Sequence, residues 1–559
     1  MVYYICNMFI RTKTSPNSPK KAVQIVENLR QGNKIKQRIV RHLGTVFDEQ
    51  QELKLREIGE FIIANLETEV QPSLFSPEEL AMMAIKARRE KSKDDSPINV
   101  NLKNLEEEQR VILGIHEIYG EIYHQLGFDN VLGNPKRRVA ISKNLFNIVM
   151  ARIANPSSKR ASVNYLERDF GVHLSLDGVY NMMDEIDEEA VKKIQNRAYN
   201  AAQSILPEKV NVLFYDCTTL YFESFTEDEL KQNGYSKDMK FNQPQVILAL
   251  LTTTEGLPIG YEVFEGSKFE GHTLANAIDK IENNFDVGEI VFVADSAMLS
   301  RQNMKLLEDR GKRYIVGARL RNMDKSTKAK ITDKSNYRKL SETEWIAQFD
   351  IGDNRRLIVT YSKERAEKDR HDREEAVSKL KSKLEKSKNP ASLISNYGYK
   401  KYLQVAGSSK VELNEKKLEE DQKWDGLHGM ITNDEDLSAQ EIISHYHSLW
   451  QIEECFRISK HDLRIRPIFH WTPRRIRAHI AICFIALTCV RHLSYRVAIQ
   501  YKKLSEEQIR NDLVHVQGSV LIDKTTGKRY CIPSMPTQQI KGIYRVLGKV
   551  IDSTPYELA

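Results

Sequence analysis

Residues 446–460 read YHSLWQIEECFRISK, a stretch without Pro or Gly whose pattern predicts one helix. At about 100° per residue, one helical face carries a phenol, an indole, a carboxylate and two cations. Its members are Tyr446, Leu449, Trp450, Glu453, Arg457 and Lys460. A carboxylate between aromatic and basic side chains suits a metal ion beside a phosphate backbone. The alternative is a surface helix in which Glu453 pairs with Arg457 at i,i+4. Core packing is the expected role of Trp450.

The bulk composition predicts a multidomain globular protein. At 559 residues the chain is too long for one core, so about three or four domains are expected. Hydrophobic residues make up 41% of the chain, and the net charge is +7. This balance permits nucleic-acid binding without requiring it. Basic residues concentrate between Lys460 and Arg477, where Asp462 is the single acid.

The cysteines and apolar runs indicate an intracellular protein without a membrane span. The six cysteines are scattered and form no CxxC pair, as expected in a reducing cytoplasm. The most apolar stretch, Ile480–Val490, is shorter than the roughly 20 residues of a transmembrane helix, which predicts a buried helix instead. The N-terminus lacks the pattern of a signal peptide.

The N-terminal third predicts mainly helices after a short opening. MFIRTK and KIKQRIVRHLG alternate like strands around a predicted helix, KKAVQIVENLRQG (20–32), and residues 89–100 resemble a polar linker. The stretch from Asn155 to Met183 predicts two short helices and carries Lys159 and Arg160. It suits either a helix-turn-helix DNA reader or a plain helical bundle.

Residues 210–320 give the clearest pattern. A strand (210–224), a hairpin (245–266), an amphipathic helix (272–285), a strand (289–298), a helix (300–311) and a last strand (313–320) follow in order. This β-β-β-α-β-α-β order is that of the ribonuclease H-like fold. A β-rich insertion with a highly charged helix follows, and the helix at Tyr446 rejoins the core.

Two carboxylates lie in apolar strand contexts, where an unpaired charge is costly. Asp216 shares a strand face with Val212 and Phe214, and Asp295 ends the run IVFVAD. Asp216 alone could hold a local turn, and Asp295 alone could cap the next helix. In a ribonuclease H-like sheet, however, the first and fourth strands are neighbours, and the helix after the fifth brings Glu453 to them. Three converging carboxylates repel unless a hard divalent cation such as Mg²⁺ or Mn²⁺ neutralises them.

The spacing of Tyr446, Leu449, Glu453 and Lys460 resembles the Y-x2-R-x3-E-x6-K signature of a large group of bacterial DDE insertion-sequence transposases. YDCTTLYFES, GYSKD, QVILALLTTTEGLPIGYEVFEG, VADSAMLS and KHDLRIRPIFHWTPRRIRAHI resemble its other blocks, over about residues 110–500. Leu449 replaces the signature arginine, so Arg457 and Arg464 are candidates for that arginine's DNA contact.

The resemblance implies a DNA transposase that binds the terminal inverted repeats of its element and catalyses metal-dependent strand cleavage and transfer. Asp216, Asp295 and Glu453 would be catalytic and hold two Mg²⁺ ions, with Mn²⁺ as a substitute. Tyr446 and Lys460 would contact the transposon end. The implied partners are double-stranded DNA and a second copy in a synaptic homodimer, in the bacterial cytoplasm. The alternatives are a ribonuclease H-like nuclease without strand transfer and a catalytically dead DNA-binding relative.

The expected fold class is α/β, with a ribonuclease H-like core interrupted by a β-rich insertion and preceded by a mainly helical DNA-binding region. The predicted segments are an N-terminal α/β segment with linker (1–100), the helical DNA-binding region (101–205), the first part of the core (206–320), the insertion (321–435), the second part with the Glu453 helix (436–500) and a tail (501–559).

Overall fold

The protein is described here by a computed structural model, which covers residues 8–14, 21–31, 34–46, 98–133, 139–206, 210–236, 239–240, 242–268, 273–274, 278–279, 290–296, 300–387, 398–406 and 410–558, with a few positions between 52 and 63. It is a mixed α/β structure that divides into two compact units. Unit 1 comprises Met1–Lys13, Ala22–Ile290 and Ser448–Ala559; unit 2 comprises Thr14–Lys21 and Val291–His447.

The strands within the described ranges are β1 (Met8–Thr14), β2 (Lys21–Gln31), β3 (Lys34–Val46), β4 (Leu105–Ile112), β5 (Val212–Tyr221), β6 (Gln245–Thr252), β7 (Pro258–Glu265), β8 (Val291–Ala294), β9 (Arg313–Gly317), β10 (Arg338–Lys339), β11 (Glu344–Asp350), β12 (Arg356–Ser362), β13 (Leu403–Ala406), β14 (Lys410–Leu413), β15 (Leu427–Thr432), β16 (Gln517–Asp523), β17 (Arg529–Pro533) and β18 (Tyr556–Leu558).

The α-helices within the same ranges are α1 (Gly120–Gln125), α2 (Val139–Ala154), α3 (Lys159–Phe170), α4 (Leu176–Asp184), α5 (Glu188–Ile205), α6 (Arg301–Asp309), α7 (Lys325–Thr332), α8 (Lys363–Lys386), α9 (Glu415–Gln422), α10 (Ala439–His447), α11 (Trp450–Arg457), α12 (Pro473–Gln500), α13 (Glu506–Val514) and α14 (Gln538–Val546).

The core of unit 1 is built around an antiparallel meander, β5–β6–β7, and the long helix α12. Every residue of β6 is buried, which is why this strand reads as a continuous apolar run rather than an alternating one. Helix α12 contacts β7 and the helices α2, α4 and α5, so it joins the N-terminal helices to the sheet. A second sheet in this unit has the order β18–β17–β16–β4.

Unit 2 pairs the parallel strands β8 and β9 and continues antiparallel through β15, β12, β11 and β10. Helix α10 contacts β8, β9 and β15, and α8 contacts β12. The hairpin β13–β14 belongs to a small separate core around Leu380, Tyr402 and Leu403. The strands and the charged helix expected between residues 321 and 435 are therefore confirmed.

The strands predicted from residue 210 to 320 are confirmed, but the predicted helix at residues 20–32 is wrong. This stretch forms β2, the central strand of a sheet with the order β1–β2–β3. Val23, Ile25 and Val26 are fully buried, and pairing on both sides outweighs the local helical pattern. The predicted linker at 89–100 and helix at 272–285 fall mostly outside the described residues.

The single helix predicted for residues 446–460 is also wrong, because it is interrupted after α10. Hydrogen bonds from Gln451 to the Ser448 carbonyl and from Ile452 to the Leu449 carbonyl make a tight turn of i→i+3 type that starts α11. Leu449 is buried at this turn, so packing of its side chain accompanies the break. The sequence gives no sign of this break, because residues 446–460 contain no Pro or Gly.

Helix α12 confirms the buried helix predicted at Ile480–Val490. Among the described helices, α12 is long and apolar enough to cross a membrane. However, 94% of its most apolar 18-residue segment is buried inside the protein. Two of its histidines, His479 and His492, are buried as well. Burial lowers the pKa of His492 to about 3, helped by Arg496 and Arg491.

Replacing His492 by Leu should make the protein less sensitive to acid. Because the folded-state pKa lies below the ordinary value of about 6.5, neutral His492 favours folding above that pH. The contribution is lost as the pH falls from about 6.5 towards 3, by up to about 1.4 kcal/mol per pH unit. The measurement is thermal unfolding of wild type and His492→Leu at pH 7.5 and 5; an identical acid-induced shift in both would contradict the assignment.

Candidate active site

Asp216 lies in the middle of β5 in unit 1. Its side chain is half-buried between the buried residues Tyr215 and Cys217, and its Oδ1 accepts a hydrogen bond of 2.7 Å from the Cys217 N–H. Because β5 continues to Tyr221, the alternative that Asp216 holds a local turn is wrong.

Glu453 lies in the first turn of α11, which contacts both β5 and β6. Ile452, Cys455 and Phe456 anchor this helix in the core, while the Glu453 side chain is exposed. The alternative i,i+4 pair is wrong, because Arg457 binds Glu454 through two bonds of 2.7 Å instead. Within the described residues, Glu453 has no hydrogen-bond or ion-pair partner. Its carboxylate is thus carried beside the strand of Asp216 without being neutralised.

A buried arginine fixes α11 against the hairpin turn between β6 and β7. Arg491 of α12 donates to the Gly256 carbonyl at 2.9 Å and to the Gln451 side chain at 2.9 Å, and it forms an ion pair of 2.8 Å with Glu506. Gln451 precedes Glu453 by two residues on α11. Gly256 has a φ of 76° and a Cβ there would overlap the guanidinium, so glycine is required at this turn. In the sequence, Arg491 directly follows the apolar run Ile480–Val490, and this position is the signal that could have indicated its role.

The segment that follows α11 is held through its backbone. Residues Ile458–Asp462 form a π-helical turn, so α-helical spacing does not extend from Glu453 to Lys460. Arg152 of α2 donates to the carbonyls of Leu463 and Arg464, both at 3.3 Å, and His479 Nε2 donates to the Ile465 carbonyl at 3.0 Å. Arg464 adopts a φ of 44°, uncommon for a side chain of its kind.

Several basic residues of this region are held by acidic or carbonyl partners. Arg475 binds Asp184 with two bonds of 2.9 and 2.7 Å, and Arg474 donates to the carbonyl of the same residue. Arg457 is held by Glu454 and Asp462. Arg464 is exposed. These contacts favour Arg464 over Arg457 as a cation that can reach DNA.

Lys159, predicted as a basic residue of a DNA reader, is buried and cannot serve in that role. Its Nζ donates to His479 Nδ1 at 3.3 Å, and burial lowers its pKa to about 7. Arg160, the next residue, is exposed. Trp450, expected in the core, is 51% exposed, so its predicted packing role is wrong.

Asp295 directly follows β8 in unit 2 and is exposed. Its Oδ1 accepts a hydrogen bond of 2.6 Å from the Ser296 N–H. The alternative that it caps the next helix is wrong, because Ser300 is the N-cap of α6 and accepts from the Asn303 N–H. Helix capping therefore does not explain why an aspartate lies at the end of this strand.

Tyr446 belongs to α10 in the same unit. Its ring lies 5.2 Å from that of His428, and its hydroxyl occupies the space that a side chain at Gly317 would need. Burial lowers the pKa of His428 to about 4, while the charge of Asp295 acts in the opposite direction. Asp295, His428 and Tyr446 are thus close enough for electrostatic and ring contact within unit 2.

The donor set of Asp216, Asp295 and Glu453 fits a hard divalent cation, since it consists only of carboxylate oxygens. In the part of the chain that the structure describes, no group of three or more His, Cys, Asp or Glu side chains is placed to hold a metal ion. The triad therefore stays a prediction.

Comparison with known proteins adds independent evidence. A family profile described as "Transposase DDE domain" matches residues 209–489, just over half of the chain, and a profile described as "IS1634 family transposase, N-terminal domain" matches residues 10–69. A search of curated proteins finds no match.

Two solved structures resemble the chain at low identity. A piggyBac transposase synaptic complex with hairpin DNA is 9% identical, with a TM-score of 0.36, covering 72% of this chain and 76% of that chain. A Mos1 transposase paired-end complex is 10% identical, with a TM-score of 0.14, covering 45% and 70%. These scores are too low to support an inference about this chain.

The profile matches show that the chain belongs to the transposase DDE domain family, as an insertion-sequence DDE transposase. It is a DNA transposase, an enzyme that cleaves and transfers DNA strands with divalent metal ions.

Replacing Arg491 by Met should destabilise unit 1 by about 3–5 kcal/mol, because it leaves Glu506 buried without its partner. Arg457→Met is the matched control, since its pair with Glu454 is more exposed and should contribute less than about 1 kcal/mol. Thermal unfolding of the two variants measures the difference. Equal shifts would contradict the central role given to Arg491.

Proposed function

We propose that Asp216, Asp295 and Glu453 are the metal-binding catalytic triad of this transposase. The proposal is carried by one observation: Glu453 is exposed, and has no partner among the described residues, on a helix that packs against the strand of Asp216. A carboxylate excluded from ion pairs keeps its oxygens for a cation. Asp295, at the end of a buried strand with no cap to make, supplies the remaining carboxylate.

The fold that would unite these residues is a ribonuclease H-like core. The β5–β6–β7 meander supplies its first three strands, and the parallel pair β8–β9, joined through α6, supplies the last two. In that fold the first strand lies beside the fourth, which would bring Asp216 to Asp295. The strands β10–β15 and helix α8 would be an insertion before the helix of Glu453.

The residues fit two Mg²⁺ ions, with Mn²⁺ as a substitute. Bound there, such ions activate the attacking oxygen and stabilise the leaving oxygen of phosphoryl transfer. The protein's own contribution is position: Arg491 fixes the helix of Glu453, while Arg152 and His479 fix the segment that follows it.

The DNA contacts we propose are Tyr446, Lys460 and Arg464, with Arg457 able to contribute once it leaves its acidic partners. The substrate would be the terminal inverted repeats of the element, held by a synaptic homodimer in the bacterial cytoplasm. The chain would fall within the Y-x2-R-x3-E-x6-K group, with Leu449 in place of the arginine. Leu449 is buried, so no DNA contact comes from this position.

Glu453→Gln should abolish strand cleavage while leaving DNA binding intact. The substitution keeps the size of the side chain and removes the charge that a divalent ion requires. The assay is single-turnover cleavage of duplex DNA carrying the element's end, with Mg²⁺, and we expect a loss of at least about a thousandfold.

Glu454→Gln is the matched control, because this neighbour is engaged by Arg457 rather than proposed to bind metal. It should retain cleavage within a few-fold. Joined DNA products in the wild-type reaction would exclude the alternative of a nuclease without strand transfer. DNA binding without cleavage, in both Mg²⁺ and Mn²⁺, would support the alternative of a catalytically dead DNA-binding relative. Full cleavage by Glu453→Gln would refute the triad.

Arg464→Gln should weaken binding to the transposon end by about tenfold at low salt, since it removes one exposed phosphate contact. It should also reduce the slope of log affinity against log salt by about one. Lys503→Gln, an exposed cation in the tail, is the control and should change neither quantity. The measurement is fluorescence anisotropy over a series of salt concentrations, and matching losses in the two variants would contradict a specific contact by Arg464.

A further inference from the structure

Unit 2 carries a groove formed by two adjoining cavities of about 800 and about 910 Å³. They share Arg321, Lys401 and Trp424, so they are continuous with one another. We refer to both together as the unit 2 groove. It involves none of the proposed catalytic carboxylates, and the predictions from sequence did not include it.

The first cavity is strongly basic. Six cationic and two acidic side chains line it, which leaves a surplus of four positive charges. They are Arg321, Lys325, Lys328, Lys401, Lys417 and Lys423, against Glu420 and Asp421. Concentrating like charges costs electrostatic free energy, which a polyanion in the cavity offsets.

A buried acid organises the shared part of the groove. Asp421 is 4% exposed, accepts hydrogen bonds of 2.8 Å from both Arg321 and the Tyr402 hydroxyl, and forms an ion pair with Lys401 at 2.5 Å. The guanidinium of Arg321 also lies 6.0 Å from the centre of the Trp424 ring. Asp421 therefore fixes the positions of the Arg321 and Lys401 side chains.

Three lysines of the first cavity remain without a partner within the described chain. Lys325 and Lys328 lie one turn apart on α7, and Lys423 follows α9. Among the described residues, no hydrogen bond or ion pair engages their ammonium groups. Lysine side chains are flexible, and each ammonium group can pair with a phosphate oxygen.

The second cavity extends the groove towards Asp295. It is lined by Arg319 and His428, and Arg319 donates to the carbonyl of Ser296, the residue after Asp295, at 3.3 Å. Its acidic members include Asp425, which Arg373 neutralises with two short bonds. The groove thus runs from the unpaired lysines to the neighbourhood of a proposed catalytic carboxylate.

We infer that the unit 2 groove binds the phosphate backbone of duplex DNA and leads a strand towards Asp295. DNA is the fitting polyanion because the enzyme acts on DNA and because cations from two separate elements, α7 and the end of α9, line one cavity of about 800 Å³. The direction of the strand rests on the proposed role of Asp295, while binding to the groove does not.

The test compares Lys328→Glu with Lys330→Glu in the full-length protein. Both residues lie on α7 and both substitutions make the same charge change, but Lys330 does not line the groove. Affinity for duplex DNA is measured without divalent metal, over a series of salt concentrations, for the transposon end and for an unrelated sequence. Lys423→Glu changes a groove residue outside α7, so a loss of binding in this variant cannot result from misfolding of α7.

Lys328→Glu and Lys423→Glu should each weaken binding by about tenfold at low salt and lower the salt slope by at least about one. Both duplexes should be affected equally, because phosphate contacts carry no sequence information. Lys330→Glu should stay within about twofold of wild type. Equal losses for Lys328→Glu and Lys330→Glu, no loss in either groove variant, or a loss confined to the end sequence would overturn the inference.

Failure of this inference is distinguishable from failure of the triad. Glu453→Gln is expected to lose cleavage and keep binding, while the groove variants are expected to lose binding without metal. A triad that proves wrong leaves the salt-dependent binding result unchanged, and an inert groove leaves the cleavage result unchanged.

Discussion

The contacts around helix α11 in unit 1 centre on one buried guanidinium. Arg491 binds the turn of the β6–β7 hairpin, the helix that carries Glu453 and the acid of α13 at once. A cation buried this deeply is tolerated only because carbonyl, amide and carboxylate oxygens surround it. The same contacts require Gly256, whose missing side chain lets the guanidinium approach the backbone. Ile452, Cys455 and Phe456 pack α11 into the core, and Arg491 adds a polar contact through Gln451.

Acidic residues around this helix have two different environments. Glu454, one residue after Glu453, is neutralised by Arg457, and Glu506 by Arg491. Glu453 itself is exposed and has no counterion in the part of the chain that the structure describes, which costs stability only slightly because water solvates it. A divalent metal ion is the partner that we propose for this carboxylate. The family assignment rests on the profile matches, and the role of Glu453 in it is our proposal.

The sequence predicted the strands and the charged helix well because apolar runs and turn residues report directly on them. It misjudged residues 20–32, where pairing with β1 and β3 on both sides makes a strand from a helical pattern. It also missed the break at Ser448, which depends on the packing of Leu449. The contacts of Arg152, His479 and Arg491 join residues distant in the chain. Their role could not be read from spacing, because tertiary structure alone brings them together.

The most direct test of the central claim is metal rescue of cleavage in Asp216→Cys and Glu453→Cys. A thiolate binds Mg²⁺ poorly but accepts softer ions such as Mn²⁺. If these carboxylates hold the catalytic metal, both variants should be inactive with Mg²⁺ and regain part of their cleavage with Mn²⁺, while wild type works with either ion. Activity in Mg²⁺ equal to that of wild type, or an equal loss in both ions, would contradict metal binding by these residues.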